Sequence, residues 1–102
     1  MDDAHARDDE RWMVIGGRRW RRTDPCLPSE LVEALKSHLG RGRSGVRAAK
    51  GDADLVAAAR RRVGLAKHGL GERGPCWWDD PEADRIARAR EALRELDRLD
   101  AG

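Results

Sequence analysis

Phenylalanine, tyrosine, asparagine and glutamine are all missing from this chain of 102 residues, and its lysines are only Lys36, Lys50 and Lys67. Apart from the three histidine imidazoles, every aromatic ring is therefore one of four tryptophans, and 18 of the 21 basic residues are arginine. Abundant Ala, Arg, Gly and Asp beside so little Lys, Asn, Phe, Tyr and Ile is the bias of a GC-rich bacterial genome. That bias alone produces runs of arginine.

Long apolar runs are absent too. No stretch approaches the ~18 residues of a membrane-spanning helix, and the acidic opening MDDAHARDDE has no apolar segment of the kind a secretory signal needs. The expectation is a soluble cytoplasmic protein with no membrane contact. The two cysteines, Cys26 and Cys76, lack the short CxxC or HxxxH spacings of a zinc site. In a reducing compartment a structural disulfide is not expected either, and no metal or cofactor is assigned. No nucleophile elbow, HExxH or P-loop occurs, and no small-molecule substrate suggests itself, so the chain reads as a non-enzyme. Two GxGxxG matches, at 40–45 and 69–74, each follow a helical pattern instead of a strand, so they read as kink and cap rather than as dinucleotide sites.

What is present is charge, unevenly placed. Residues 1–10 hold one arginine against five acids, 11–78 hold 15 basic against six acidic residues, and 79–102 hold five arginines against eight acids. A basic middle lies between acidic ends. It either meets phosphates or is covered by the protein's own tails.

Residues 1–10 read as disordered. From Arg11, a β-branched and aromatic run on each side of Gly16-Gly17 predicts a hairpin with a type I′ turn, since both glycines tolerate positive φ. That loop pairs Ile15 with Arg18, Met13 with Trp20 and Trp12 with Arg21. Met13, Ile15 and Trp20 then share the core face, while Trp12, Val14, Arg19 and Arg21 share the other. Pro28 suits the first position of a helix carrying Leu31, Val32, Leu35 and Leu39 on one stripe. One long helix is expected, with Gly40, Gly42 and Gly45 weakening its middle and marking where it could kink.

Gly51-Asp52 marks a helix–helix turn. A second helix, 53–69, follows with Leu55, Ala59, Val63, Ala66 and Leu70 on its stripe. Gly69, Gly71, Gly74 and Pro75 end it and deliver Trp77-Trp78 into a turn that closes the hairpin on the helices. A third helix opens with Asp80 as cap and Pro81 first, and repeats Ile86, Ala89, Leu93 and Leu96. It either packs on the helical pair or mediates a dimer. The fold class is α+β, mostly helical: a β-hairpin packed on an antiparallel helical pair over 11–78, with a further C-terminal helix over 79–102.

Several of these residues also carry a family resemblance: Arg18-Arg19-Trp20-Arg21, Asp24-Pro25, Pro28, Ala66-Lys67, and above all Leu70-Gly71-Glu72-Arg73-Gly74 with Trp77-Trp78. Over about residues 11–78 the chain resembles a small uncharacterised bacterial family with an LGERG…WW ending, often labelled "biopolymer transporter Tol". That label implies membrane or envelope work, for which the sequence offers no span, signal or anchor. The resemblance implies the same architecture with a continuous alanine-rich first helix, from which the glycines at 40–45 depart.

Two functions follow as expectations. The first is a protein–protein interaction module anchored by Trp12 or Trp78, with self-association through 81–99. The second is nucleic-acid binding by the basic clusters at 18–22, 41–47 and 60–67, with Arg18, Arg19, Arg21, Arg22, Arg60 and Arg61 on phosphates and the interleaved tryptophan on bases. For the tryptophans, core packing competes with exposure as an anchor.

Overall fold

A computed structural model describes residues 9–101; of residues 1–10, expected to be disordered, 1–8 lie outside the described residues, while 9 and 10 are instead helical together with Arg11. The elements that follow are β1 (Trp12–Ile15), β2 (Arg18–Arg21), α1 (Ser29–Ala48), α2 (Ala53–Leu70), a 3-10 turn (Trp77–Asp79) and α3 (Glu82–Ala101). The protein is α+β and mostly helical, with a two-stranded antiparallel sheet at its N-terminal end.

The hairpin has the register that its glycine turn demands: Trp12 opposite Arg21, Met13 opposite Trp20, Val14 opposite Arg19 and Ile15 opposite Arg18. Gly16 and Gly17 take φ of 60° and 80°, the left-handed values a type I′ turn needs. One detail differs from expectation. Met13 and Trp20 are half-buried, but Ile15 is 59% exposed, because the hairpin tip overhangs the helices.

The core is a three-helix seam. Leu31, Leu35 and Leu39 of α1 meet Ala66 and Leu70 of α2, and Ala89, Ala92 and Leu96 of α3 close over them. The last helix packs on the helical pair, with Ala89, Ala92 and Leu96 buried in the core. Leu55, expected on the buried stripe of α2, is 57% exposed.

α1 is one long helix, as expected, and runs unbroken through all three glycines. Their use is proximity. A Cβ on Gly42 would stand 2.7 Å from Val63 Cγ2 and 3.1 Å from Ala59 O, and one on Gly45 would stand 3.1 Å from Ala59 Cβ. Glycine at these two positions lets α1 and α2 approach backbone to backbone. Pro28 sits one residue before the helix rather than at its first position. Asp52 caps α2 as the sequence predicts, accepting from the N–H groups of Asp54 and Leu55.

The far end of α2 closes with a Schellman turn: Gly71 at φ 80° donates to His68 O, and Glu72 N–H donates to Lys67 O. From here the chain grips the strand exit residue by residue. Arg21 Nη1 donates to Pro75 O at 2.9 Å, Trp77 Nε1 to Arg22 O at 3.0 Å, Thr23 Oγ1 to Glu72 Oε2 at 2.7 Å, and Asp24 N–H to Leu70 O at 2.9 Å. Four consecutive residues are thus tied to residues 70–77. The LGERG…WW stretch is, physically, the clasp that fastens the hairpin to the helices. Trp78 adds edge-to-face contacts with Trp12 at 5.6 Å and Trp77 at 5.2 Å between centroids.

Candidate polyanion-binding face

The close approach at Gly42 and Gly45 has an electrostatic result. It sets Arg43 and Arg47, one turn apart on α1, against Arg60 and Val63 of α2. Arg73, from the loop after α2, reaches back until its Nη1 stands 3.5 Å from where a Gly64 Cβ would be. Together with Val46 these side chains line a groove of about 460 Å³. Its floor is the valine pair and its walls are guanidinium groups.

Arg43 and Arg73 also belong to a second, adjoining cleft of about 340 Å³ beneath the hairpin. There they are joined by Lys67 and Arg21, with Met13, Ile15 and Trp20 supplying the apolar wall and Glu72 the one carboxylate. Burial, then the Arg73 and Arg43 charges, hold the Lys67 ammonium below its ordinary pKa. Positive charge is concentrated here, with Glu72 the one carboxylate in the lining of the two cavities. Among the described residues, no salt bridge engages Arg43, Arg47, Arg60, Lys67 or Arg73; those that form use Arg41, Arg62, Arg85, Arg88, Arg94 and Arg98.

The acids of α3 are spent on a different face. Asp100 accepts from Arg62 at 2.7 Å and from Arg41 at 2.9 Å, which holds its carboxyl below the usual range. Buried His38 lies between them: Arg62 Nη1 is 2.7 Å and Arg41 Nη2 2.9 Å from its Nδ1, and Asp97 is 3.1 Å from its Nε2. Guanidinium groups can only donate, so Nδ1 is the acceptor and Nε2–H donates to Asp97. His38, Asp97 and Asp100 bring ligand-type atoms within 4.8 Å of one another. Two guanidiniums already take the imidazole lone pair and the Asp100 oxygens, so this is a structural network holding the end of α3.

The sequence-predicted site residues divide into groups. Arg60 lines the groove. Arg61 lies beside Ala57, Ala58 and Leu99 on another side of α2. Arg18 and Arg19 are exposed on β2, with guanidinium carbons 4.9 Å from the Trp20 ring centroid and 4.4 Å from that of Trp12. Arg21 and Arg22 act as ties, Arg22 Nε donating to Asp9 O at 2.8 Å and Trp12 O at 3.1 Å. Trp12 and Trp78 are half-buried against each other, and Arg11 stands over the Trp78 ring at 4.8 Å. Neither tryptophan lines the groove.

The basic clusters at 41–47 and 60–67 contain Arg43, Arg47 and Lys67 without naming them as individual site residues, and Arg73 lies outside every cluster. A signal existed for three of them: Arg43 and Arg47 are four apart, and Arg60 and Lys67 seven apart, so each pair shares a helix face. Nothing local marks Arg73, whose place depends on the clasp.

Among the described residues no helix is long and apolar enough to cross a membrane. Comparison with family models, with curated proteins and with solved structures found no match.

Proposed function

We propose that this protein is a non-enzymatic nucleic-acid-binding module that contacts phosphates through the groove between α1 and α2. One observation carries the reading. Arg43, Arg47, Arg60, Arg73 and Lys67 converge from three segments on one continuous face, and among the described residues none of them forms a salt bridge. Other arginines, Arg18, Arg19, Arg61 and Arg90 among them, also form no salt bridge among the described residues elsewhere on the surface; what marks this face is that five cations gather around two adjoining cavities. Phosphate binding releases counterions, so affinity for a labelled oligonucleotide should fall steeply between low and moderate salt. Affinity that is flat with salt would refute this reading.

A second reading, contact with a protein partner, is favoured by the hairpin tip, where Val14 and Ile15 are 68% and 59% exposed. Adjacent exposed β-branched residues on a two-stranded sheet suit strand addition or a small apolar contact. Val14→Thr, at a residue that lines neither cavity, should weaken capture of such a partner and leave oligonucleotide binding unchanged.

A further inference from the structure

The cleft beneath the hairpin differs from the groove it joins. The groove is cationic with an aliphatic floor. The cleft adds an indole, a thioether and a carboxylate, and at about 340 Å³ it is at the low end of the ~300–1,000 Å³ range of small-ligand pockets. That is the scale of one base, not of a paired duplex. We propose that it receives a single unpaired base of a nucleic-acid strand, with the phosphates on either side running into the groove past Arg43 and Arg73. The inference rests on the phosphate-binding reading and names the form of nucleic acid that this face takes.

Three features support it. Trp20 is half-buried and fixed by the hairpin register opposite Met13, so its ring is a preset stacking surface. Arg18, the exposed cation lying over that ring, is free to move off and cover the incoming base instead. Lys67 Nζ stands 5.2 Å from the same ring centroid, where it meets a phosphate or the base edge.

The second feature is Glu72. Thr23 donates to its Oε2 at 2.7 Å, which orients the carboxylate and leaves Oε1 to accept from an exocyclic amine. Cytosine and adenine carry such an amine; thymine and uracil do not. The third is continuity: Arg43 and Arg73 line both cavities, so a strand entering the groove has its next base at the mouth of the cleft. In a duplex, both faces and the pairing edge of each base are occupied, and the cleft has nothing to read.

The test uses the full chain and four fluorescently labelled probes of equal length: oligo-dC, oligo-dT, an abasic strand with the same phosphates, and a duplex. Oligo-dC should bind about tenfold more tightly than the abasic strand, and more tightly than oligo-dT. Trp20→Leu should bring the dC and abasic affinities together, and Glu72→Gln should erase the preference for dC over dT. Circular dichroism confirms that each variant is folded. The comparison on the unmodified protein decides the matter even if Trp20→Leu does not fold. Equal affinity for dC and abasic strands would overturn the base-cleft inference while leaving the phosphate reading standing. Absence of binding to any probe would overturn both. Displacement of oligo-dC by micromolar CMP would reassign the cleft to a free nucleotide and overturn the strand form of the inference.

Discussion

Arg85 of α3 grips Asp24, at the exit of the hairpin, with two hydrogen bonds: Nε to Oδ2 at 2.9 Å and Nη2 to Oδ1 at 2.6 Å. The carboxylate is 2% exposed and also accepts from Cys26 N–H at 2.9 Å. The guanidinium carbon lies 5.2 Å from the Trp77 ring centroid, so one side chain joins α3, the strand exit and the clasp.

Removing Arg85 leaves a charge buried without a partner, so Arg85→Met should destabilise the fold by about 3–5 kcal/mol in urea titrations. The pH dependence has a definite sign. Burial alone would raise the Asp24 pKa, but the Arg85 hydrogen bonds and the Cys26 N–H outweigh it and leave it below its ordinary value of 3.8. A group depressed in the folded state contributes its stability above its unfolded pKa and loses it as pH falls through the folded pKa. The stability difference between the natural protein and Asp24→Asn should therefore be constant above about pH 5 and shrink below about pH 4.

Glycine substitutions in α1 should split by position. Gly40 has nothing within 4 Å of an added Cβ, so Gly40→Ala should stabilise by about 0.5–1 kcal/mol through helix propensity. At Gly42 the same methyl meets Val63 and two backbone atoms of α2, so Gly42→Ala should destabilise by about 1–3 kcal/mol. Thermal melts of the two variants decide this. Because Gly42 also sets the groove's width, its variant should bind oligonucleotides more weakly even where it remains folded.

These glycines mark where the sequence stopped being legible. Hairpin register and the cap of α2 were readable because each depends on neighbours in the chain: two glycines for the turn, an aspartate for the cap. A glycine in a helix has the same local meaning whether it bends the helix or admits another one. Only the facing residues, Ala59 and Val63, distinguish the two. The Asp24–Arg85 pair joins residues 61 apart with no pattern between them. The basic face was half legible for the same reason. Helical spacing groups Arg43 with Arg47 and Arg60 with Lys67, but bringing the two pairs and Arg73 together takes the packed helices and the clasp. Arg21 and Arg22 looked like phosphate contacts, yet carbonyl oxygens claim donors of both: Pro75 O in the clasp for Arg21, and Asp9 O and Trp12 O for Arg22.

Cys26 offers a probe of the same region. Burial first, then the hydrogen bond and charge of Asp24, push its pKa from 9.0 up to about 11. At pH 8 only about one thiol in a thousand is then ionised, so in a Cys76→Ser background iodoacetamide should label Cys26 on the order of 100-fold more slowly in the folded than in the unfolded protein.

The most direct measurement is anisotropy of a labelled single strand at several salt concentrations, with three proteins compared: the natural chain, Arg43→Ala/Arg47→Ala/Arg60→Ala/Arg73→Ala, and Arg90→Ala/Arg94→Ala/Arg98→Ala on α3. The first set should lose about 100-fold or more in affinity and make the salt dependence shallower by about three units of slope. The α3 set should stay within about threefold of the natural protein. Equal losses from both sets would mean that net charge alone attracts the strand, and would contradict the assignment of the α1–α2 groove as the binding face.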